Sequence, residues 1–163
     1  MGYIMDLRKK VGHDLLLMPG AGVFVYRDGK LLLQRRRDNG LWADHGGSLE
    51  PGETVEDTAR RELWEETGLR AGKLELIGIF SGPDMNYTYP NGDQVSILGI
   101  YYLCREFEGE PRPQTEEVAE LRWFPLEAIP ADFHRVVRKP LEACIRKIRQ
   151  EEKDEAVSFQ EKR

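Results

Sequence analysis

Apolar residues fall into short runs whose spacing changes along the chain. Residues 21–26 (AGVFVY) and 30–36 (KLLLQRR) read as strands, and Arg27-Asp28-Gly29 between them is a hairpin signal. Alternation in the second strand puts Leu31, Leu33 and Arg35 on one face and Leu32, Gln34 and Arg36 on the other. A glycine-rich loop, DNGLWADHGG, follows. Helical periodicity begins near Thr54, just after Pro51-Gly52, and Gly68 closes it as a C-cap. Leu74 to Phe80 form another strand, and the polar, aromatic SGPDMNYTYPNGDQ is a loop or a strand–loop–strand tip. Val95 to Cys104 read as a long central strand, and Leu121 to Phe124 as a short one after the acidic EGEPRPQTEE. From about Asp132 the pattern is helical, with Val136, Val137, Leu141, Cys144, Ile145 and Ile148 at helical spacing. No repeat or linker interrupts the chain, so one domain is expected over 1–163, with its core at about 15–150 and a charged helical tail at about 151–163. Strands before, between and after two helices predict an α/β sandwich with a mixed sheet.

The helix near residues 54–68 poses a charge problem. Glu62, Glu65 and Glu66 crowd its C-terminal end, where the helix dipole is already negative, and like charges three or four residues apart repel. At about 100° per residue, Glu62 and Glu66 project to the side of Val55, Ala59 and Leu63, with Glu65 on the flank and Arg60, Asp57 and Trp64 opposite. The carboxylates therefore extend the inward stripe. The helix is read as holding no Lys or Arg placed to neutralise them. Half-buried carboxylates without a cation would have raised pKa values, and a hard divalent cation, Mg²⁺ or Mn²⁺, is the natural partner.

Composition narrows the classes. Lys and Arg number 24 against 29 Asp and Glu, a net charge of −5, the opposite of the balance that grips a polyanion, so no nucleic-acid partner is expected. No apolar run reaches membrane-spanning length, and the first residues lack the apolar region of a signal peptide. No membrane partner is expected, and a reducing cytoplasm is the expected location. Cys104 and Cys144 are expected to be free, buried thiols. A homodimer is left open as a second arrangement. The spacing of a calcium-binding EF-hand loop is absent.

The stretch GSLEPGETVEDTARRELWEETGL resembles the Nudix box, G-x5-E-x7-R-E-U-x-E-E-x-G-U with U aliphatic. Gly47, Glu53, Arg61, Glu62, Leu63, Glu65, Glu66, Gly68 and Leu69 fill it with no gap and no substitution. The resemblance, to MutT-like and ADP-ribose pyrophosphatase-type members, implies an α/β/α sandwich. It also implies a Mg²⁺-dependent (or Mn²⁺-dependent) hydrolase of a diphosphate linkage in a nucleoside diphosphate joined to another moiety. By the same resemblance Glu62 and Glu66 are the principal metal ligands, Glu65 stands beside them, and the Gly46 carbonyl is a further ligand. Glu53 pairs with Arg61 to hold the loop on the helix. A further acid comes from the loop before the late strand, where Glu117 is favoured over Glu116 and Glu120. Glu62, Glu66 and Glu117 are all candidates to take a proton from the attacking water. Arg36 is expected at the substrate phosphates, and Trp42, Tyr87 and Tyr89 are candidates to stack on a base. The chain departs from the family where Asp44-His45 replaces the usual Leu-Pro before Gly46-Gly47, which makes His45 a candidate for a phosphate or water contact. The competing reading is a nucleotide-binding Nudix sensor without catalysis. A Nudix-fold isopentenyl diphosphate isomerase fits poorly, because neither cysteine lies in a loop near the box.

Overall fold

The computed structural model describes residues 2–163. The strands are β1 (Leu16–Arg27), β2 (Lys30–Arg36), β3 (Trp42–Ala43), β4 (His45–Ser48), β5 (Arg70–Ala71), β6 (Leu74–Phe80), β7 (Asn86–Thr88), β8 (Gln94–Cys104), β9 (Phe107–Glu108) and β10 (Val118–Pro125). The helices are α1 (Tyr3–Val11), α2 (Val55–Thr67) and α3 (Arg138–Glu161). The main sheet runs in the order β10-β2-β1-β8-β6, with β3, β4 and β7 attached to its sides. It is mixed: β1 and β8 are parallel, whereas β2, β4, β6 and β10 join antiparallel.

Alternation along the strands feeds two cores, one on each face. Phe24, Leu31, Leu33 and Leu103 point to the face covered by Leu141, Cys144 and Ile148 of α3. Val23, Val25, Leu32 and Cys104 point to the opposite face, under Ala59 and Leu63 of α2. The result is the expected α/β/α sandwich. The β1–β2 hairpin turns at Asp28 (φ 52°) and Gly29 (φ 76°), both left-handed, as a two-residue turn matched to strand twist requires.

The strand that forks the sheet positions the cleft. β1 pairs with β4 over Gly20–Val23 and with β2 over Val25–Arg27. β2 and β4 therefore diverge from one strand, and the gap between them opens beneath the C-terminal half of α2. Thr54 and Asp57 form a reciprocal capping box at the start of α2. Gly68 ends the helix in the left-handed region (φ 75°), its N–H donating to the Trp64 carbonyl.

Several elements differ from expectation: β1 starts at Leu16, the glycine-rich loop carries β3 and β4, and β5 pairs with β9. Helix α1 was not predicted; its buried Arg8 donates to the carbonyls of Gly12, Asp14 and Gln94, a tertiary anchor with no local periodicity. The last helix begins at Arg138 and not near Asp132, because residues 132–134 run alongside Trp42: its N–H donates to the Asp132 carbonyl at 3.0 Å, and the His134 N–H donates to its carbonyl at 2.8 Å. A 3-10 turn, Arg135–Val137, then leads into α3. The short late strand extends to Val118–Pro125 because β2 supplies an edge along its length. Both cysteines are free and buried. Among the described residues no helix is long and apolar enough to cross a membrane.

Candidate active site

A cleft of about 420 Å³ opens at the fork between β2 and β4. Glu62 and Glu66 of α2 enter from one side, with Gly46 and Gly47 beneath them and Arg36 and Glu117 across. Helix α1 and the 89–93 turn close the remaining side through Ile4, Met5, Arg8, Tyr89 and Asp93.

Glu66 is only 6% exposed, and its Oε2 accepts the Gln34 amide at 2.8 Å and the Gly46 N–H at 3.1 Å. The same Gln34 amide donates to the Asp44 carbonyl at 2.7 Å, so one side chain ties the loop to the helix. Burial pushes Glu66 up to about 8 despite these donors. Burial, then the neighbouring Glu66, pushes Glu62 up to about 7. The Glu62 carboxylate lies against the Gly47 backbone, where a Cβ would sit 2.4 Å from its Oε1. This is the physical reason for glycine at that box position.

Arg61 departs from the sequence expectation. It stands four residues before Glu65 and one before Glu62, and it reaches both, at 3.3 Å and 2.8 Å. Its main partner is Glu53, gripped through Nε at 2.6 Å and Nη2 at 3.0 Å, while Nη2 also donates to the Ser48 carbonyl. Arg61 holds Glu53 down at about 2. One guanidinium is thus shared among three carboxylates, with Glu66 outside its reach, and the deficit of positive charge persists.

The remaining predicted residues divide. Glu117 is at the cleft mouth, its carbonyl fixed by the Arg37 N–H at 2.9 Å. Arg36 lines the cleft while its guanidinium grips Asp38 at 2.7 and 2.9 Å. Tyr87 and Tyr89 stand edge to face at 4.9 Å and line a deeper chamber continuous with the cleft. The Glu65 side chain is 43% exposed, has Arg61 as its partner and stays outside the cleft. Neither Glu116 nor Glu120 lines the cleft, and Glu120 pairs with Arg122.

Two candidates are corrected. Trp42 is a core residue, 4% exposed, packed edge-on against Phe124 at 4.7 Å, so its ring is unavailable to a base. His45 is fully buried behind Glu66 and touches no cleft space: its Nε2 meets the Leu32 carbonyl at 3.0 Å. Burial lowers its pKa to about 4, so the ring is neutral and Nε2 carries the proton that the carbonyl accepts. Its Nδ1 then faces Glu66 Oε2 at 3.6 Å, with no hydrogen-bond partner.

Sequence reasoning missed Gln34, Asp44, Tyr101 and Arg8. The phase of Gln34 with Leu32 was a usable signal, since it placed an amide on the α2 face. The others depend on tertiary packing. Among the described residues no three acidic, His or Cys side chains already converge at metal-ligand spacing. Glu62 and Glu66 form a carboxylate pair, and further oxygens would have to join them.

A model of the NUDIX domain matches residues 16–144, most of the chain. The chain belongs to the Nudix family. This Nudix hydrolase is 38% identical to a MutT-like protein of Streptomyces ambofaciens over 72% of its own length and 70% of that protein's. It is 35% identical to an ADP-ribose pyrophosphatase of Methanocaldococcus jannaschii, covering 82% of this chain and 78% of that one. Among solved structures, a MutT Nudix hydrolase from Burkholderia pseudomallei superposes with a TM-score of 0.68 at 30% identity, over 78% of this chain and 98% of the other.

Proposed function

We propose that this Nudix hydrolase uses Mg²⁺ or Mn²⁺ to cleave a diphosphate linkage in a nucleoside diphosphate joined to another moiety. The observation that carries the reading is the Glu62–Glu66 pair: two desolvated carboxylates, both raised by burial, face one cleft, and among the described residues no Arg or Lys stands in ion-pair contact with Glu66. Such a pair is unfavourable unless a hard cation joins it, and its all-oxygen donor set suits Mg²⁺. Glu62 and Glu66 would hold the ion, with the Gly46 carbonyl, Glu117 and substrate oxygens completing its shell. A bound divalent ion supplies charge neutralisation of the diphosphate and a more acidic water.

The chain's own groups do the rest. Arg61 fixes Glu62 by its Nη1 contact while holding Glu53 and the Ser48 carbonyl, so the loop and helix keep one spacing. The Gln34 amide and the Gly46 N–H orient Glu66 towards the cleft. The proton of the attacking water would pass to Glu62, Glu66 or Glu117. The Arg36 guanidinium, steadied by Asp38, meets the phosphate oxygens. Tyr89, exposed to both the cleft and the inner chamber, lies where the nucleoside joins its phosphates.

The deciding experiment is a panel of nucleoside triphosphates, dinucleoside polyphosphates and nucleotide sugars assayed with Mg²⁺ and with Mn²⁺, products being identified by mass. Release of a nucleoside monophosphate or inorganic phosphate only in the presence of metal is expected. Ligand binding without cleavage of any compound would replace this reading with that of a sensor.

A further inference from the structure

Behind Gly46 and Gly47 the cleft continues into a chamber of about 90 Å³. Tyr87 and Tyr89 form one wall, and His134 packs on Tyr87 with ring centroids 4.5 Å apart. Asp44 and Tyr101 lie at its floor, against the bare backbone of Gly22: a Cβ there would sit 2.2 Å from Asp44 Oδ2 and 2.5 Å from the Tyr101 ring. Phe24 and Phe80 brace the Tyr101 ring from behind, at centroid distances of 6.1 and 5.6 Å.

Asp44 is 9% exposed, and its carboxyl takes no hydrogen bond from any other described residue. The neighbouring Gln34 amide is committed to the Asp44 backbone carbonyl and to Glu66. The Tyr101 hydroxyl likewise has no described partner. Its own backbone N–H is the one described donor to the Asp44 carboxyl, which leaves acceptor capacity unfilled, and no side chain of the chamber hydrogen-bonds to it. The unfilled acceptor positions suit a ligand that brings its own donors, and aromatic walls select a flat ring.

We propose that Asp44 is the base-selecting residue of this site, accepting hydrogen bonds from a guanine-type base seated between Tyr89 and the β1–β8 floor. This rests on the diphosphate-cleaving reading of the cleft. A carboxylate offers two acceptor oxygens side by side, which match two adjacent N–H donors. Guanine presents such a pair, a ring N–H beside its amino group. Adenine places its amino group beside a ring acceptor, which would face the second carboxylate oxygen. Hypoxanthine and uracil present one N–H next to carbonyl oxygens. With the base in the chamber, the side-chain-free Gly46–Gly47 passage leads its phosphates to Glu62, Glu66 and Arg36.

The test is calorimetric binding of GMP, IMP, AMP and UMP to the full chain without metal. None of these contains a diphosphate bond, so binding is read apart from hydrolysis. GMP is expected to bind about tenfold or more tighter than IMP, which differs only by the lost amino donor. In Asp44→Asn the GMP-to-IMP ratio falls towards one, and Tyr89→Leu weakens all four ligands while keeping the ratio. Equal binding of GMP and IMP by the wild type overturns the proposal, whether or not Asp44→Asn folds; so does a folded Asp44→Asn that keeps the preference. A chain that cleaves nucleotides without preferring GMP loses only this base assignment. One that prefers GMP but cleaves nothing loses only the catalytic reading.

Discussion

Replacing Glu66 by Gln should move stability and activity in opposite directions. The substitution keeps the side-chain shape and one oxygen to accept the Gly46 N–H or the Gln34 amide, and it removes the charge. In the metal-free fold the carboxyl titrates at about 8 against an ordinary 4.5, chiefly because it is buried. At 1.36 kcal/mol per pKa unit, keeping Glu66 ionised there costs on the order of 4–5 kcal/mol. The folded pKa is raised, so the contribution of this group to stability is complete below about 4.5 and is lost as pH rises through about 8. Metal-free Glu66→Gln should therefore melt higher than wild type above about pH 8 and show a flatter stability profile between those limits. Mg²⁺ should narrow that gap: at 100 times its Kd it stabilises the wild type by about 2.7 kcal/mol and the variant by much less. Turnover of whichever panel compound is cleaved should fall by at least about 10². Scanning calorimetry at acid and alkaline pH, with and without Mg²⁺, reads the first effect, and product mass analysis reads the second. Near wild-type turnover, or a variant that melts lower than wild type in alkaline metal-free buffer, would refute the reasoning.

Other outcomes follow from single contacts. Gly47→Ala drives a methyl group onto the Glu62 carboxylate, so metal affinity measured by calorimetry should drop while the fold, monitored by circular dichroism, is retained. Trp42→Ala should destabilise the protein by about 3–5 kcal/mol in urea unfolding, as a lost core aromatic, and leave KM unchanged; a raised KM with intact stability would restore the ring to the substrate site. Thr54→Ala removes the capping box of α2 and should cost about 1 kcal/mol, a melting shift of about 2–4 °C, with no change in the pH profile of turnover.

Much of this molecule was settled by local spacing. The hairpin needed only two adjacent residues able to take left-handed angles, Asp28 and Gly29, and the helix over 55–67 needed only its cap, its apolar stripe and Gly68. The inward course of Glu62 and Glu66 followed from the same 3.6-residue period, because side chains on one helix share faces by geometry alone. Folding in three dimensions decided the rest, since it brings together residues whose separation along the chain carries no periodic trace. Arg8 is 86 positions from the Gln94 carbonyl that anchors it, and the placement of Trp42 and His45 was set by what packed over them. Trp42 became core because Phe124 and residues 132–134 covered it, and His45 was sealed behind Glu66 by β1 and β2. Residue type announced that both rings could do chemistry; only burial decided that Asp44, which stands between them in the chain, faces the chamber instead.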